Sequence, residues 1–331
     1  MTRLLRLWHR TVWRMIRAAH RADFAWFLPF ISRLPLPVAY ALATLRGQVN
    51  AFTGRDWRSV ALGFRHIRHQ SMAGYQLFPG SISVSQRLAW RNERFIVEAR
   101  DEFEAHLIAN RRVNGLRCQF LPIGAEAVCE GRSRGLVLLT PHFDSFFLGV
   151  AFLARSGAKV SLMSSSVTHD PRVDSAVKIH FTKKYRGLEH YLNGGRVLDM
   201  EAGLRPFYRM LERHETLVIL GDAPVLPNGV AMTVDFLGAH RRVAGGALRL
   251  AQQTDSDLGG YVCRHLGLGR YELELCPIGS ANDPKTVERV YQFFNDSIQA
   301  QPGLWWAADL LPNMPAALRE PAREVIASES V

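Results

Sequence analysis

The sequence is poor in cysteine and has fewer acidic than basic side chains. Four cysteines occur in 331 residues, with neither a Cys-x-x-Cys pair nor the Cys/His spacing of a zinc site: Cys118, Cys129, Cys263 and Cys276. This excludes a disulfide framework and argues against bound zinc, so we expect reduced thiols and no metal centre. The net charge of +11 predicts an anionic partner, which is nucleic acid, an acidic membrane surface or an anionic substrate.

The chain also lacks an uninterrupted apolar run long enough to cross a membrane. Residues 24–45 have about the right length, but they are interrupted by Arg33 and by three prolines, Pro29, Pro35 and Pro37. Two short apolar segments at the membrane surface, or beside an entry for a lipid tail, fit this pattern better than one crossing helix. We therefore expect a monotopic or peripheral protein.

The first twenty residues predict an amphipathic helix with arginine on one face and apolar side chains on the other. The arginines recur every three or four residues: Arg3, Arg6, Arg10, Arg14 and Arg17. Arginine with tryptophan on such a helix suits an anionic bilayer surface, although a helix packed on its own domain has the same pattern. No helix-turn-helix, RRM or zinc-finger pattern supports a nucleic-acid partner. A cleaved signal peptide is disfavoured, because arginines interrupt the apolar stretch and no small-residue cleavage site follows it.

Strands alternating with helices predict an α/β fold, with a mostly parallel central sheet covered by helices. Residues 55–112 have a helical, amphipathic pattern. Strands are expected at 136–140, 159–165 and 216–222, an extended arm at 232–238, and a late hairpin at 259–266 and 271–278. Helices are expected at 145–156, 175–187, 203–213, 245–254 and 286–301. The domain organisation expected is a membrane-associating helical segment (1–50), an α/β domain (51–320) and a disordered tail (321–331).

Polar side chains follow the predicted strands. In "LVLLTPHFDSFFLG" a buried strand is followed by His142, Asp144 and Ser145, and Asp222 ends another strand in "TLVILGD". Ligands of open α/β sheets gather beyond the carboxyl ends of strands, so these side chains are candidates for a site. Asp144 and Ser145 also fit a simple helix cap. A serine hydrolase with Ser145 as nucleophile is disfavoured, because no Gly-x-Ser-x-Gly elbow is present.

Three stretches in this order resemble a known family. They are "TPHFDSFFLG" (140–149), "LVILGDAPVLPNGVAMTVDFLGAHRRVAGGALRLAQQT" (217–254) and "QPGLWWAADLLP" (301–312). The sequence resembles the lysophospholipid acyltransferase superfamily, and within it the branch of lipid A late acyltransferases and phosphatidylinositol mannoside acyltransferases. The similarity extends through most of the chain.

The resemblance implies acyl transfer at the cytoplasmic face of a bacterial inner membrane. The donor is a thioester of acyl carrier protein or coenzyme A, used as a co-substrate, and no other cofactor is implied. The acceptor is a hydroxyl or amine on a lipid or glycolipid. His142 is the implied general base, with a carboxylate that fixes its tautomer. Backbone N–H groups at a helix start, or an arginine, are expected to stabilise the oxyanion.

The chain departs from the family's His-x4-Asp/Glu motif, because Phe147 occupies the position of the acid. Three interpretations remain open at this point. Asp144, the nearest carboxylate, orients His142; or Asp222 or Asp235 reaches in from a neighbouring loop; or acyl transfer has been lost and only lipid binding remains.

Further polar residues are candidates for contact with substrate. They comprise the serine after the motif and two basic pairs or clusters: Ser145, Lys183, Lys184, Arg186, Arg241 and Arg242. A donor or acceptor phosphate would suit the basic residues, and a solvated helix face explains the cluster at 183–186 about as well. The aromatic pair Trp305 and Trp306 is expected in the core or at the membrane boundary.

Overall fold

The computed structural model describes residues 3–63, 65–121, 125–128, 131–165 and 167–316. The tail expected at 321–331 therefore lies outside the described residues. The side chains of residues 3–10 and 12 are also not described. They include most of the arginine face predicted for the first helix.

The described residues form eleven α-helices. Their bounds are α1 (Arg3–Ala22), α2 (Leu28–Ile31), α3 (Leu36–Thr53), α4 (Ser59–Leu62), α5 (His66–Gln76), α6 (Val84–Ala109), α7 (Phe146–Ala154), α8 (Ser175–Glu189), α9 (Arg205–Glu212), α10 (Gly246–Gln253) and α11 (Pro284–Ala300). A π-helical turn, Asp23–Phe27, joins α1 to α2. Short 3₁₀ turns include Pro302–Leu304 and Ala308–Asn313.

Nine strands form one large sheet and one hairpin. They are β1 (Arg117–Leu121), β2 (Leu136–Thr140), β3 (Val160–Ser164), β4 (Val197–Asp199), β5 (Thr216–Leu220), β6 (Ala231–Phe236), β7 (Ala239–Ala244), β8 (Asp257–Gly267) and β9 (Arg270–Ser280). The sheet order is β1-β9-β8-β2-β5-β3-β4, and β6 pairs with β7. Every neighbouring pair in the large sheet is parallel except β8–β9. The predicted mostly parallel α/β sheet is confirmed.

The sheet has a separate apolar core on each face, because successive side chains of a strand point to opposite sides. On β2, Leu136 and Leu138 belong to the core that contains the side chains of α7. Val137 and Leu139 belong to the core on the other face, which includes side chains of α9, α10 and α11. All five residues of β2 are buried, so this strand is covered on both sides.

The longest helix, α6, supplies the buried charged residues beneath the site. It begins at a capping box, in which Gln86 N donates to Ser83 Oγ over 3.2 Å and Ser83 N donates to Gln86 Oε1 over 3.0 Å. These bonds satisfy backbone groups that a helix start leaves without partners. The following turns place Glu98, Asp101 and Glu102 beside the carboxyl ends of β3 and β5.

The proline-broken apolar segment folds as the two short pieces that the sequence predicts. Helix α2 ends at Ile31 and α3 starts at Leu36, with a turn between them. Both pieces leave apolar side chains exposed: Trp26 (76%), Phe30 (58%), Val38 (48%), Leu45 (54%), Val49 (51%) and Phe52 (84%). We call these six side chains the N-terminal apolar surface. None of the helices described for this chain combines the length and apolar character that a membrane crossing needs.

Candidate active site

The parallel pairing of β2 with β5 brings together two polar residues that are far apart in the chain. The last residues of the two strands, Thr140 and Leu220, are partners in the register. His142 and Asp222 each follow two residues later, so they emerge side by side at the carboxyl edge of the sheet. This is where open α/β sheets build their sites.

Asp222 binds His142 through both carboxylate oxygens. Nδ1 of His142 lies 2.8 Å from Asp222 Oδ1, and the backbone N–H of His142 donates to Oδ2 over 2.7 Å. Trp305 Nε1 also donates to Oδ2, over 2.7 Å. Because Nδ1 faces a carboxylate, it carries the proton, and Nε2 is left with a free lone pair.

Asp222 stays ionised although it is fully buried. Burial alone would raise the pKa of Asp222, but the electrostatic interaction with His142 and the hydrogen bonds from His142 and Trp305 lower it overall. The end of β5 is held by Tyr291, whose hydroxyl donates to the carbonyl of Gly221 over 2.6 Å. The Asp222 carboxylate is therefore held in place and negatively charged, so it can stabilise a positive charge on the His142 ring.

Asp144, the first of the three acids considered from the sequence, does not contact His142. It has a positive φ of 46°, and its carboxylate faces α6 and β8. There it forms an ion pair with Arg100 and accepts a hydrogen bond from the backbone N–H of His265 over 2.8 Å. The geometric expectation that Asp144 orients His142 is wrong, because the left-handed turn at Asp144 carries its side chain away. Asp144 fastens the loop after β2 to its neighbours.

Ser145 is engaged away from the imidazole as well. Its hydroxyl donates to Glu104 over 3.1 Å and contacts Asp144 over 3.3 Å. Burial raises the pKa of Glu104 to about 8, so this carboxyl holds a proton at neutral pH. The arrangement is a buried polar cluster behind α7, and it does not have the Ser–His geometry of a serine hydrolase.

Asp235, the other acid considered, lies on β6 in the separate hairpin. Its side chain is 76% exposed and pairs with His240. The structure therefore brings His142 together with Asp222 and with neither Asp144 nor Asp235.

A cavity of about 150 Å³ opens at the carboxyl ends of β3 and β5, and His142 lines it. We call it the strand-end cavity. Its apolar wall includes Phe146, Phe147, Leu162, Phe181, Tyr185 and Trp306. The ring of Trp306 packs edge-on against His142, with centroids 4.9 Å apart. The apolar part of this cavity, next to the imidazole of His142, suits a substrate with a fatty chain.

The basic candidates divide into exposed and structural residues. Lys183, Arg186 and Arg242 are exposed at the surface. Lys184 lines the strand-end cavity and is ion-paired with Asp101 at 2.6 Å. Arg241 is buried and donates to the carbonyls of Phe236 and Met314 over 3.1 and 2.9 Å, which connects the β6–β7 hairpin to the segment at Met314.

Two contributors to the site went unnoticed in the sequence. Trp305 was expected only in the core or at a membrane boundary, yet its indole N–H binds the carboxylate that holds His142. Arg100 lies in a helical stretch without a catalytic signal, yet it neutralises Asp144. Trp305 lies in the stretch 301–312, which carries part of the family resemblance, and this position was the one indication in the sequence that Trp305 serves the site. Arg100 carried none.

The part of the chain that the structure describes contains no group of three or more His, Cys, Asp and Glu side chains placed to hold a metal ion. Cys118, Cys263 and Cys276 are free thiols, and Cys129 lies outside the described residues.

The family of bacterial lipid A biosynthesis acyltransferases matches this chain over residues 93–307, which is more than half of its length. The matched region contains β2, β5, the strand-end cavity's His142, its partner Asp222 and also Trp305. A search of curated proteins found no match.

Proposed function

The chain belongs to the bacterial lipid A biosynthesis acyltransferase family, and on that premise we propose that it is a membrane-surface acyltransferase with His142 as general base. Acyl transfer to a lipid-like acceptor is the activity of the family. The finer proposal is that the fatty chain comes from an acyl carrier protein or coenzyme A thioester. It passes to a hydroxyl or amine of a lipid or glycolipid.

One observation carries the proposal: the 2.8 Å contact between Nδ1 of His142 and Asp222 at the wall of the strand-end cavity. Nε2 removes the proton from the acceptor hydroxyl while the hydroxyl oxygen bonds to the thioester carbonyl carbon. The tetrahedral intermediate then breaks its carbon–sulfur bond, and His142 returns the proton to the leaving thiolate. Asp222 balances the imidazolium in between.

The start of α7 is the proposed source of donors for the tetrahedral oxyanion. A helix leaves its first backbone N–H groups without intrahelical partners, and its N-terminus favours negative charge. Phe146 and Phe147 open this helix and line the strand-end cavity with His142. Donors placed ahead of the reaction cost no reorganisation when the charge develops.

No covalent acyl-enzyme is part of the proposal. Ser145 donates its hydrogen bonds to Glu104 and Asp144, and burial raises the pKa of the Cys263 thiol. Both groups are poor nucleophiles in these surroundings. His142 therefore activates the acceptor directly.

The N-terminal apolar surface supports the proposed attachment to the membrane. Its side chains lie on the π-helical turn, α2 and α3, and on α3 they recur at Val38, Leu45, Val49 and Phe52, which is the spacing of one helical stripe. An exposed stripe of this kind suits insertion into the headgroup boundary. We place the protein at the cytoplasmic face of a bacterial inner membrane, in contact with anionic lipids.

The test is acyl transfer by the His142→Ala variant, measured as thiol released from an acyl-coenzyme A donor in the presence of monoacylglycerol or glycolipid acceptors. We expect a loss of at least about 10²-fold in turnover with the fold retained by circular dichroism. His66→Ala, at an exposed histidine on α5, is the matched control and should turn over like the wild type. Unchanged turnover in His142→Ala would contradict the proposal and favour a lipid-binding protein that transfers nothing.

A further inference from the structure

The strand-end cavity has two cationic side chains among its described lining residues, and both are already neutralised. Arg58 contacts Asp56 Oδ2 at 3.0 Å and Asp309 Oδ2 at 2.9 Å. Lys184 Nζ lies 2.6 Å from Asp101 Oδ2 and 4.0 Å from the ring centroid of Phe147. A phosphate that entered the cavity would find these cations committed to buried carboxylates.

The same wall is rich in carboxylates. Four of them line the cavity: Glu98, Asp101, Glu102 and Asp309. Glu98 and Glu102 are balanced from behind the wall, by Arg94 at 2.7 Å and Arg46 at 2.5 Å. Asp309 is only 5% exposed, and both of its oxygens face cations, Oδ2 the guanidinium of Arg58 and Oδ1 Nη2 of Arg94 at 3.7 Å. Among the described lining residues, the cavity therefore has no lysine or arginine that is not already paired with a carboxylate.

We infer that the acceptor group entering the strand-end cavity is uncharged or positively charged, and that a phosphate beside the reacting hydroxyl or amine is excluded. This inference rests on the proposed function, since it names the acceptor class of the same site. A hydroxyl group needs no counter-ion in the cavity, and the carboxylates of the wall attract an ammonium group. A buried phosphate without a counter-ion bears its full desolvation cost, next to the ion-paired carboxylates of Asp101 and Asp309.

The entrance of the cavity offers a place to change this preference without disturbing the ion pairs. A second groove adjoins the cavity and shares Trp57, Arg58, Ser165 and Val167 with it. Ser165 is exposed at this boundary. Ser165→Lys therefore adds a cation at the cavity's mouth on a side chain that has room to reach solvent.

The experiment compares the binding of a monoacylglycerol with that of the lysophosphatidic acid of the same chain length, which differs from it by one phosphate. Calorimetric titrations are run below the critical micelle concentrations. For the wild type we expect the phosphate compound to bind at least about tenfold more weakly, equivalent to about 1.4 kcal/mol. Ser165→Lys should narrow or reverse this ratio.

Gln292→Lys is the matched control, because Gln292 is exposed on α11 and gains the same charge outside the cavity. It should leave the ratio as in the wild type. Equal or tighter binding of the phosphate compound by the wild type overturns the inference. So does the absence of binding of either compound, or an equal effect of the two lysine variants. Retained turnover in His142→Ala counts against the proposed function alone, because the binding ratio requires no chemistry.

Discussion

At the scale of single residues, the distinction between Asp222 and Asp144 is the sharpest test of the site. Asp222→Asn keeps the shape of the side chain but places an amide where three N–H groups now meet two carboxylate oxygens. The amide favours the wrong imidazole tautomer and cannot balance an imidazolium. We expect kcat to fall on the order of 10⁴-fold, as when a triad aspartate is replaced by its amide. Steady-state thiol release measures the effect.

Asp144→Asn is the companion variant and should have the opposite profile. Removing its charge leaves the half-buried Arg100 with Glu104, at 3.7 Å, as its remaining acidic neighbour, so we expect a loss of about 3 kcal/mol in the free energy of unfolding. Turnover per folded molecule should stay near that of the wild type. The assignment of the two acids is reversed if Asp144→Asn is inactive while folded and Asp222→Asn is active.

The sequence predicts a general base at His142 and includes Asp222 among the candidate acids. It favours Asp144 only because Asp144 is nearest to His142 along the chain. In the folded chain, the order of the strands in the sheet decides which acid lies beside His142. Both residues follow their strands by two positions, and this signal is present in the sequence. That β2 and β5 are neighbours could not be known, because β3 and β4 lie between them in the chain. The left-handed turn at Asp144 was equally hidden, since an aspartate tolerates but does not demand it.

At the scale of elements, the buried strands and long helices were predictable and the edges were not. Strands β2, β3 and β5 and the β8–β9 hairpin lie where apolar, β-branched runs predict them. Strands β1 and β4 were missed: they are short edge strands and lack a fully buried pattern. The arm at 232–238 turned out to be β6 of a two-stranded hairpin. Its partner β7, which is rich in basic residues, was not predicted.

Helix α7 provides a prediction for Phe147, which stands where relatives have an acid. Its buried ring contacts Lys184 and lines the strand-end cavity, and no hydrogen bond of His142 depends on it. Phe147→Ala should cost about 3–5 kcal/mol of stability and enlarge the cavity. We therefore expect a shift towards longer or bulkier acyl donors with the base still active. Competition between acyl-coenzyme A donors of different lengths measures it.

Phe152→Ala, on the same helix and equally buried, is the control for this effect. It lies outside the residues that line the cavity and should lose similar stability without altering donor preference. Loss of all turnover in folded Phe147→Ala would instead show that this position still serves the chemistry.

At the scale of the whole molecule, the buried histidine of α1 makes the docking of the N-terminal helix sensitive to acid. The ring of His20 lies 5.0 Å from that of Phe24, and neither ring nitrogen has a hydrogen-bond partner among the residues that the structure describes. Burial, reinforced by Arg55, lowers the pKa of His20 to about 4. Between pH 6.5 and 4, His20 is protonated in the unfolded chain but not in the folded chain. Its contribution to the free energy of unfolding therefore decreases as the pH falls.

His20→Phe removes this titration and retains a ring. Relative to the wild type, its free energy of unfolding should improve as the pH drops through this window, by on the order of 3 kcal/mol at full protonation. Urea denaturation at a series of pH values measures the difference. Phe24→Leu, which alters the same contact without removing a titrating group, should show a difference independent of pH. A constant offset for His20→Phe would refute the role given to its protonation.

The attachment to the membrane depends on the N-terminal apolar surface and on the positive charge of the molecule together. Trp26 and Phe52 are 76% and 84% exposed, and each contributes about 1.5–3 kcal/mol if an interface buries it fully. We expect the double variant Trp26→Ser with Phe52→Ser to bind anionic vesicles at least about tenfold more weakly in sedimentation assays. Binding by the wild type should also weaken at high salt, because the net charge of +11 is screened.

Leu204→Ser is the control for exposed apolar area in general, because Leu204 is 51% exposed beside α9. It should bind vesicles like the wild type. If the double variant binds as well as Leu204→Ser does, the N-terminal apolar surface is not the membrane contact. If binding is lost with neutral and anionic vesicles alike, insertion of the rings outweighs the charge. If the double variant loses vesicle binding only at high salt, most of the attraction to the membrane comes from the arginines.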